Sequence, residues 1–304
     1  MVGVVSLGEC MVEVSLAGSG RAVIGFAGDA FNTAVYLSRL GVPAAFATAL
    51  GDGDPFSAGI LALMADEGVS ADLVTRVPGR LPGLYAIARD AAGERSFFYW
   101  RDQAPVRQLF EIADLAALAA AARGADLLYL TGVTLAVIGE AGRAALSAML
   151  GELRTPLAFD PNYRPQLWPS PQAARAAMAA VIPRCSLVSA GGPDVEALWD
   201  SPLADTAARW AAGGAQVIAR HADHSLEIHA GGEVLAIAAP PPIEAVDTTG
   251  AGDAFNAAYL AVWLKGESPG ACAAAGQALA AQVVRFPGAI VPKDAMPSRS
   301  RSNA

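Results

Sequence analysis

The feature of the sequence that most constrains its fold is a repeated alternation between short apolar runs and longer segments rich in Ala and Leu. The run VVSLGE precedes FNTAVYLSRLG, and the run AAFATALG precedes PFSAGILALMADEG. Short apolar runs are typical of buried strands, whereas the longer segments have a helical pattern and end at Gly41 and Gly68. The pattern continues in ADLLYLTG, PLAFDPN, SLVSAG and AQVIARH. The chain is therefore predicted to be an α/β protein with a doubly wound, mostly parallel sheet and helices on both faces.

Composition narrows the class of protein and its partners. The 304 residues carry a net charge of −8, which argues against a nucleic-acid partner because phosphate backbones require basic surfaces. Hydrophobic residues make up 54% of the chain, but no run of about 18 apolar residues predicts a membrane span or a membrane partner. The N-terminal segment contains Glu9 and Glu13 and lacks a basic stretch, and the three cysteines form no C-x-x-C pair. We therefore expect a cytoplasmic protein without a signal peptide, a disulfide framework or a zinc site.

Two segments interrupt the alternation and predict a small separate sheet. Residues at about 11–27 and 75–102 are richer in strand-like patterns, aromatic residues and turn glycines than the rest of the chain. The stretch LYAIARDAAGERSFFYW predicts a β-hairpin whose turn is DAAGE. We expect these segments to form a β lid that is inserted into one domain covering residues 1–297, with a mobile tail at 298–304.

The stretch DTTGAGDAFNAAYLAVWL contains the clearest chemical motif. Gly250 and Gly252 leave backbone N–H groups uncovered at the start of a predicted helix, where the helix dipole attracts anions. Asp253 follows directly, so its carboxylate is placed to take a proton from a hydroxyl that attacks a phosphate held there. The alternative is that Asp253 only caps the helix, since acids are favoured in first turns. The stretch lacks the third glycine of a dinucleotide fingerprint, and the chain contains no P-loop motif.

Two further stretches favour a ligand with hydroxyl groups and a carboxylate. AGDAFN places Gly28, Asp29 and Asn32 at a predicted helix start, where Asp and Asn side chains bind sugar hydroxyls or, alternatively, cap the helix. In FFYWR the strand alternation puts Tyr99 and Arg101 on one face. An aromatic ring beside an arginine suits a carbon chain that ends in a carboxylate. A lid strand with an arginine that only extends to solvent would show the same pattern.

The stretch FDPNYRPQLW follows a predicted buried strand, so it is expected at the sheet edge where α/β enzymes bind ligands. Arg164 in this stretch could clamp a carboxylate or a phosphate with its planar fork of donors. A neutral sugar requires no pair of arginines, whereas a sugar acid does. Arg101 and Arg164 together therefore favour an acid substrate.

Six segments, collinear between residues 3 and 297, carry a resemblance to a known family. They are LGECMVEVS, GFAGDAFNTAVYLSRLG, LPGLYAI with GERSFFYWRDQAP, YLTGVTLAVI, DPNYRPQLW and FPGAIVPKDAMP. Together with DTTGAGDAFNAAYL they resemble the ribokinase-like (PfkB) carbohydrate kinases, and within that family the bacterial 2-keto-3-deoxygluconate kinases. The resemblance implies a ribokinase-like fold with a small β-sheet lid, and phosphorylation of this keto acid at its terminal hydroxyl by MgATP. The alternatives are another sugar kinase of the family, such as a fructokinase or a ribokinase, and a sugar-binding homologue with weakened catalysis.

The resemblance also implies roles for individual residues. Asp253 would be the catalytic base, and Gly250, Ala251 and Gly252 would hold the transferred phosphoryl group. The keto acid would be bound by Gly28, Asp29, Asn32, Tyr85, Tyr99, Arg101 and Arg164. ATP would contact Asp160, Asn162, Arg164, Ser189, Arg220, Asp223, Thr248, Gly250, Gly252 and Gly288.

Two places depart from the pattern of the family. In VIARHADHSLEI, Ala219 stands for a lysine, and His221 and His224 stand where glycines are common, so we expect a change in how ATP is held. A metal site made by these histidines has poor geometry in a strand and loop. SAGGPDVEALW has fewer acidic residues before Glu196 than the family usually has, but Glu196 itself is present as the expected Mg²⁺ residue. Asp247 is expected near a monovalent cation such as K⁺. Exposed lid strands often pair between subunits, so we expect a homo-oligomer, most readily a dimer.

Overall fold

The computed structural model describes residues 3–16, 20–89 and 95–297. The predicted DAAGE turn at 90–94 and the predicted tail at 298–304 lie outside these ranges. Within them the strands are β1 (Val4–Leu7), β2 (Met11–Leu16), β3 (Ala22–Ala27), β4 (Ala44–Asp52), β5 (Val69–Ser70), β6 (Val74–Pro78), β7 (Leu84–Arg89), β8 (Arg95–Trp100), β9 (Leu127–Thr131), β10 (Leu157–Asp160), β11 (Leu187–Gly191), β12 (Gln216–Arg220), β13 (Leu226–Ala230) and β14 (Glu233–Ile237).

Helices connect most of these strands. They are α1 (Asp29–Arg39), α2 (Pro55–Asp66), α3 (Leu109–Ile112), α4 (Leu115–Gly124), α5 (Gly132–Val137), α6 (Gly139–Glu152), α7 (Pro171–Val181), α8 (Gly192–Trp199), α9 (Leu203–Ala211), α10 (Ala251–Trp263) and α11 (Pro269–Val283). Gly41 and Gly68, the predicted helix ends, have φ angles of 86° and 68°. Such angles favour glycine, so these residues can turn the chain after α1 and α2. In the described part of the chain, no helix has the length and hydrophobicity to cross a membrane.

The central sheet has the order β14-β13-β12-β11-β10-β9-β1-β4-β5, and β6 also pairs with β4. The strands from β12 to β5 run parallel, and β13 and β14 form an antiparallel edge. Alternate residues of β9 enter two different cores: Leu128 packs among α3–α9, and Tyr129 packs among α1, α10 and α11. The sheet is therefore covered by helices on both faces, which explains its unbroken apolar runs and confirms the predicted α/β architecture.

A small separate sheet has the order β3-β2-β7-β8, and we call it the lid sheet. Its strands β7 and β8 form the predicted antiparallel pair, with Tyr85 opposite Tyr99. Residues 75–78 of the predicted lid segment lie instead in β6 of the central sheet. The reason is that β5 covers only Ala44 and Ala45 of the long strand β4, so the rest of that strand pairs with β6.

The chain passes between the central part of the molecule and the lid sheet at four places, which we call the crossing segments. They are residues 8–10 between β1 and β2, residue 28 between β3 and α1, residues 79–83 between β6 and β7, and residues 101–104 after β8. The lid sheet is covalently tied to the rest of the protein only through these short segments.

Candidate active site

A cavity of about 690 Å³ lies between the lid sheet and the carboxyl ends of the central strands. Parallel strands present ligand sites at this edge, as the sequence predicts for the segment after β10. The predicted site residues that line the cavity are Gly28, Asp29, Asn32, Tyr85, Tyr99, Arg101, Asp160, Asn162, Arg164, Arg220, Thr248, Gly250, Gly252 and Asp253. The structure therefore brings most of the predicted residues together.

Helix α10 begins at the predicted glycine turn. Gly250 has a φ of 77°, and a Cβ atom on it would lie 2.5 Å from the carbonyl oxygen of Ala289, so only glycine fits. Gly250 is the N-cap residue of α10 and contributes no capping side chain to the N–H groups of the first turn. The N–H of Ala251 makes a long bond of 3.3 Å to the carbonyl oxygen of Thr248. A helix start without a capping side chain can hold an anion.

Asp253 is the third residue of α10, and it lines the cavity. Its Oδ2 accepts a hydrogen bond from Nδ2 of Asn32 at 2.8 Å. Burial and the nearby charge of Asp29 raise the pKa of Asp253 to about 8, although the Asn32 bond lowers it in part. A carboxylate with a raised pKa accepts a proton more readily, which suits a catalytic base better than a helix cap.

The hexapeptide Ala-Gly-Asp-Ala-Phe-Asn occurs twice, at residues 27–32 and at residues 251–256. Each copy places its aspartate in the first turn of a helix, α1 or α10, and both aspartates line the cavity. The two helices pack against each other, and Asn32 of the first copy binds Asp253 of the second. The repeat is visible in the sequence, but the pairing of its two copies is visible only in the structure.

Asn256, the last residue of the second copy, was not predicted as a site residue. It is buried and joins the three neighbouring strands β9, β10 and β11: its Nδ2 donates to Tyr129 at 3.1 Å and to Asp160 at 2.7 Å, and its Oδ1 accepts from Ser189 at 2.6 Å. Asp160 also accepts a hydrogen bond from Arg220 at 3.0 Å. Ser189, a predicted ATP contact, therefore belongs to this buried network and does not line the cavity.

The lid sheet supplies an aromatic wall to the cavity. The ring centroids of Tyr85 and Tyr99 lie 5.8 Å apart. The hydroxyl of Tyr85 donates to Glu13 on the neighbouring strand β2. Arg101 follows β8, is buried, and forms an ion pair with Glu9. Glu9 and Glu13 were not predicted as site residues, because their partners lie far away in the sequence.

Each arginine of the cavity wall is paired with a carboxylate. The pairs are Arg101–Glu9, Arg164–Asp194 and Arg220–Asp160. The other two aspartates of the wall accept hydrogen bonds from asparagines: Asp29 from Asn162 at 2.6 Å, and Asp253 from Asn32. Because these arginine charges are already balanced, a carboxylate that entered the cavity would have to meet the remaining N–H groups in the right direction, since the cavity wall has no excess positive charge at these pairs.

A second cavity of about 270 Å³ shares Arg220, Thr248 and Gly252 with the first. Its mostly apolar wall includes Leu226, Pro240, Pro241, Pro242, Ile243, Ala251, Phe255 and Val284. An apolar slot beside an anion-binding helix start suits the base of a nucleotide. His221 and His224 line this slot, and His224 has a φ of 68°, at a position where the family commonly has glycine. The loop whose sequence departs from the family pattern therefore lines the cavity that suits a nucleotide base.

Glu196, the predicted Mg²⁺ residue, lines neither cavity. It is exposed, and its Oε1 accepts the N–H of Leu203 at 3.2 Å, at the start of α9. Asp194 of the same helix lines the larger cavity instead and pairs with Arg164 at 3.1 Å. Residues two positions apart on a helix point in directions about 200° apart, which explains why only one of the two acids faces the cavity. Burial raises the pKa of Asp194, although Arg164 beside it lowers it.

Three other predicted residues lie in loops and line neither cavity: Asp223, Asp247 and Gly288. Asp223 is exposed and accepts the N–H of Ser225 at 2.9 Å. Asp247 is buried, and its two carboxylate oxygens accept the N–H groups of Thr249 at 2.9 Å and Gly288 at 3.1 Å. Within the described ranges, no group of three or more His, Cys, Asp or Glu side chains could hold a metal ion.

Comparison with known proteins agrees with this geometry. A match to the pfkB family of carbohydrate kinases covers residues 1–296, and the chain belongs to that family. The 2-dehydro-3-deoxygluconokinase of Dickeya dadantii (strain 3937) is 39% identical over 304 residues, which cover 96% of this chain and 97% of that protein.

Two solved structures share the fold. The 2-dehydro-3-deoxygluconokinase of Thermotoga maritima has a TM-score of 0.83 at 21% identity and covers 96% of each chain. The fructokinase of Vibrio cholerae O395, solved with fructose, ADP and a calcium ion, has a TM-score of 0.82 at 21% identity and also covers 96% of each chain. The predicted ribokinase-like fold with a small β-sheet lid is therefore confirmed.

Proposed function

We propose that this carbohydrate kinase transfers the γ-phosphate of ATP to the terminal hydroxyl of 2-keto-3-deoxygluconate, giving 2-keto-3-deoxy-6-phosphogluconate. The main support is that Arg101 and the tyrosines of the lid sheet share one cavity with Asp253 and the glycine turn. A wall suited to a sugar acid thus faces a proton acceptor and an anion site. The Dickeya dadantii relative is named for the same keto acid, of which 2-dehydro-3-deoxygluconate is a synonym.

In this reaction Asp253 takes the proton of the terminal hydroxyl as that oxygen attacks the γ-phosphorus, and Asn32 keeps the carboxylate oriented. The new O–P bond forms as the bond from the γ-phosphorus to the bridging oxygen of ADP breaks. The N–H groups at residues 250–252 stabilise the transferred group. Arg220 adds positive charge beside them, since a Cβ on Gly252 would lie 3.0 Å from its Nη1.

The adenine base is assigned to the second cavity, whose wall is continuous with the glycine turn through Thr248 and Gly252. Mg²⁺ that accompanies ATP offsets phosphate charge, and it is usually held by phosphate oxygens with one or two carboxylates. Asp194 fits that role better than Glu196, because it lines the cavity. A monovalent cation near Asp247 is tested by comparing activity in potassium and in tetramethylammonium salts.

An assay of ATP consumption over sugars and sugar acids tests the substrate. We expect kcat/KM for the keto acid to exceed that for fructose or ribose by ~10²-fold or more, because a neutral sugar offers no carboxylate to the arginine N–H groups that the ion pairs do not use. Preferential use of fructose or ribose would make this protein a different sugar kinase of the family. Calorimetric binding of the keto acid without ATP consumption would instead indicate a sugar-binding homologue.

The partners and location follow from the same proposal. MgATP is a cytoplasmic phosphoryl donor, so we infer a cytoplasmic enzyme. We also infer a homodimer formed through the outer face of the lid sheet, where Ile24, Phe98 and Trp100 are 55%, 50% and 63% exposed. Sedimentation of the wild type should give a dimer, and Phe98→Asp with Trp100→Asp should give a monomer. A wild-type monomer would refute this assembly.

A further inference from the structure

Glu9 is the residue at which all four crossing segments meet. It lies in the first segment, between β1 and β2. In the second segment, a Cβ on Gly28 would lie 2.0 Å from the carbonyl oxygen of Glu9, and in the third, a Cβ on Gly83 would lie 2.5 Å from its Oε1. In the fourth, Arg101 forms an ion pair with its Oε2. One buried residue thus contacts every place where the chain enters or leaves the lid sheet.

The same ion pair reaches the ligand cavity, because both Glu9 and Arg101 line it. Glu9 engages Nη2 of Arg101. A guanidinium has five N–H donors, so others remain for a substrate carboxylate. Arg101 follows directly after β8, whose Tyr99 belongs to the aromatic wall. The ion pair therefore fixes the guanidinium relative to that wall.

We propose that Glu9 is a positioning residue for the sugar-acid substrate, which orients the guanidinium of Arg101 and at the same time fixes the base of the lid sheet. The identity of the substrate rests on the proposed function, whereas the link between Glu9 and the lid sheet does not. Without the Glu9 carboxylate, the guanidinium is free to take other orientations, and the third and fourth crossing segments lose the charged group that lies between them. The contact of the Glu9 carbonyl oxygen with Gly28 is kept. Glu9 does not line the second cavity, which is assigned to the adenine base, so this change leaves that cavity intact.

The chain contains a matched control for a purely structural effect. Arg39 and Glu67 form another buried ion pair, at 2.7 Å, with side chains 8% and 3% exposed. The corresponding values for Arg101 and Glu9 are 7% and 3%. Arg39 and Glu67 line neither cavity and lie outside the crossing segments. Glu67→Gln therefore breaks an equally buried pair at a site without a ligand role.

Steady-state kinetics and thermal unfolding compare Glu9→Gln with Glu67→Gln. Both variants should have a lower Tm, because each removes the negative charge that balances a buried guanidinium. Only Glu9→Gln should raise KM for the keto acid, by about 10- to 100-fold, as expected for a charged hydrogen bond, with little change in KM for ATP. Glu9→Asp keeps the charge but shortens the side chain, so it should show the same shift and replaces Glu9→Gln if that variant does not fold.

Hydrogen exchange of backbone amides without substrate tests the contact with the lid sheet separately. Exchange in β2, β3, β7 and β8 should be faster in Glu9→Gln than in the wild type and unchanged in Glu67→Gln. The proposal is wrong if both variants raise KM for the keto acid equally, or if Glu9→Gln alters neither this KM nor the exchange. If the wild type does not use the keto acid, the proposed function is refuted. The exchange result would then still show whether Glu9 fixes the base of the lid sheet.

Discussion

The carboxylate of Asp253, the proposed catalytic base, lies in an environment that disfavours its charge. Its pKa in the folded protein is about 8, against an ordinary value of 3.8. Between these two pH values the folded protein keeps a proton that the unfolded chain has released. The contribution of Asp253 to stability is therefore complete below the lower value and is lost as the pH rises through the higher one.

Asp253→Asn should lower kcat by about 10²- to 10⁴-fold, the usual contribution of a positioned base. The variant should also have a higher Tm than the wild type, with a larger difference at pH 8 than at pH 5, because an amide has no charge to bury. Turnover and thermal unfolding of the purified variant check both effects. Near-normal turnover in a folded Asp253→Asn protein would reduce Asp253 to a structural residue at the helix start.

The raised pKa also predicts the pH profile of the wild type. Asp253 accepts a proton only when it is ionised, so kcat/KM should rise with pH up to about 8 and then level off. Below that pH the slope should approach ~10-fold per pH unit. The residual activity of Asp253→Asn should lack this rise. A wild-type profile that is flat from pH 6 to pH 8 would contradict the assignment of the base.

Arg164 permits a test of carboxylate recognition with little cost in stability. Its ion pair with Asp194 is partly exposed, with side chains 44% and 33% accessible, and exposed pairs contribute little to folding. Arg164→Leu should raise KM for the keto acid by about 10-fold, equivalent to ~1.4 kcal/mol, while its Tm and any residual use of fructose change little. Equal losses with the acid and the neutral sugar would assign Arg164 to phosphate.

The loop between β12 and β13 shows how one element departs from its family. His224 has a φ of 68°, a conformation that costs an ordinary residue about 1–2 kcal/mol and glycine almost nothing. His221 has no such angle, yet both histidines line the second cavity. Substituting each histidine in turn therefore separates the cost of the backbone conformation, present only at His224, from the effect of the imidazole ring, present at both.

His224→Gly should raise the stability by about 1 kcal/mol, whereas His221→Gly should lower it by about 0.4–1 kcal/mol, because glycine adds freedom to the unfolded chain. Both variants should lower KM for ATP, since each removes a ring from the cavity wall, and neither should change KM for the keto acid. Denaturant unfolding and steady-state kinetics measure these effects. Unchanged KM values for ATP in both variants would place the nucleotide elsewhere.

For individual elements, the sequence predicts those contacts that join residues close together in the chain. The glycine turn, Asp253 and the start of α10 lie within a few residues, so their spacing predicts their geometry. The contacts that complete the site are not local. Asn32 binds Asp253 across 221 positions, Asn256 binds Asp160 across 96, and Arg101 binds Glu9 across 92. Spacing in the sequence does not reveal such pairs, so Asn256, Glu9 and Glu13 were not predicted.

For the whole molecule, the alternation of apolar runs and helical segments was sufficient to predict the central sheet, because parallel strands buried on both faces have an unmistakable composition. The small sheet was predicted from its aromatic hairpin. The pairing of β6 at the edge of the central sheet was not predicted, since β6 is a partly buried strand with a mixed sequence. It pairs with β4 because β4 is longer than its other neighbour, β5. Which strand pairs at a sheet edge depends on how many backbone groups of the neighbouring strand are still unpaired.

The arrangement of the lid sheet has a consequence for the newly made chain. Strands β2 and β7 pair in parallel, although β3, α1, β4, α2, β5 and β6 are synthesised between them. While the ribosome makes those elements, β2 and β3 exist as a hairpin whose β2 edge has no neighbour, and open edges of this kind invite aggregation. The tyrosines that line the cavity are then added only when the second hairpin emerges. We therefore expect chains that end before residue 84 to depend on chaperones more than the complete protein does.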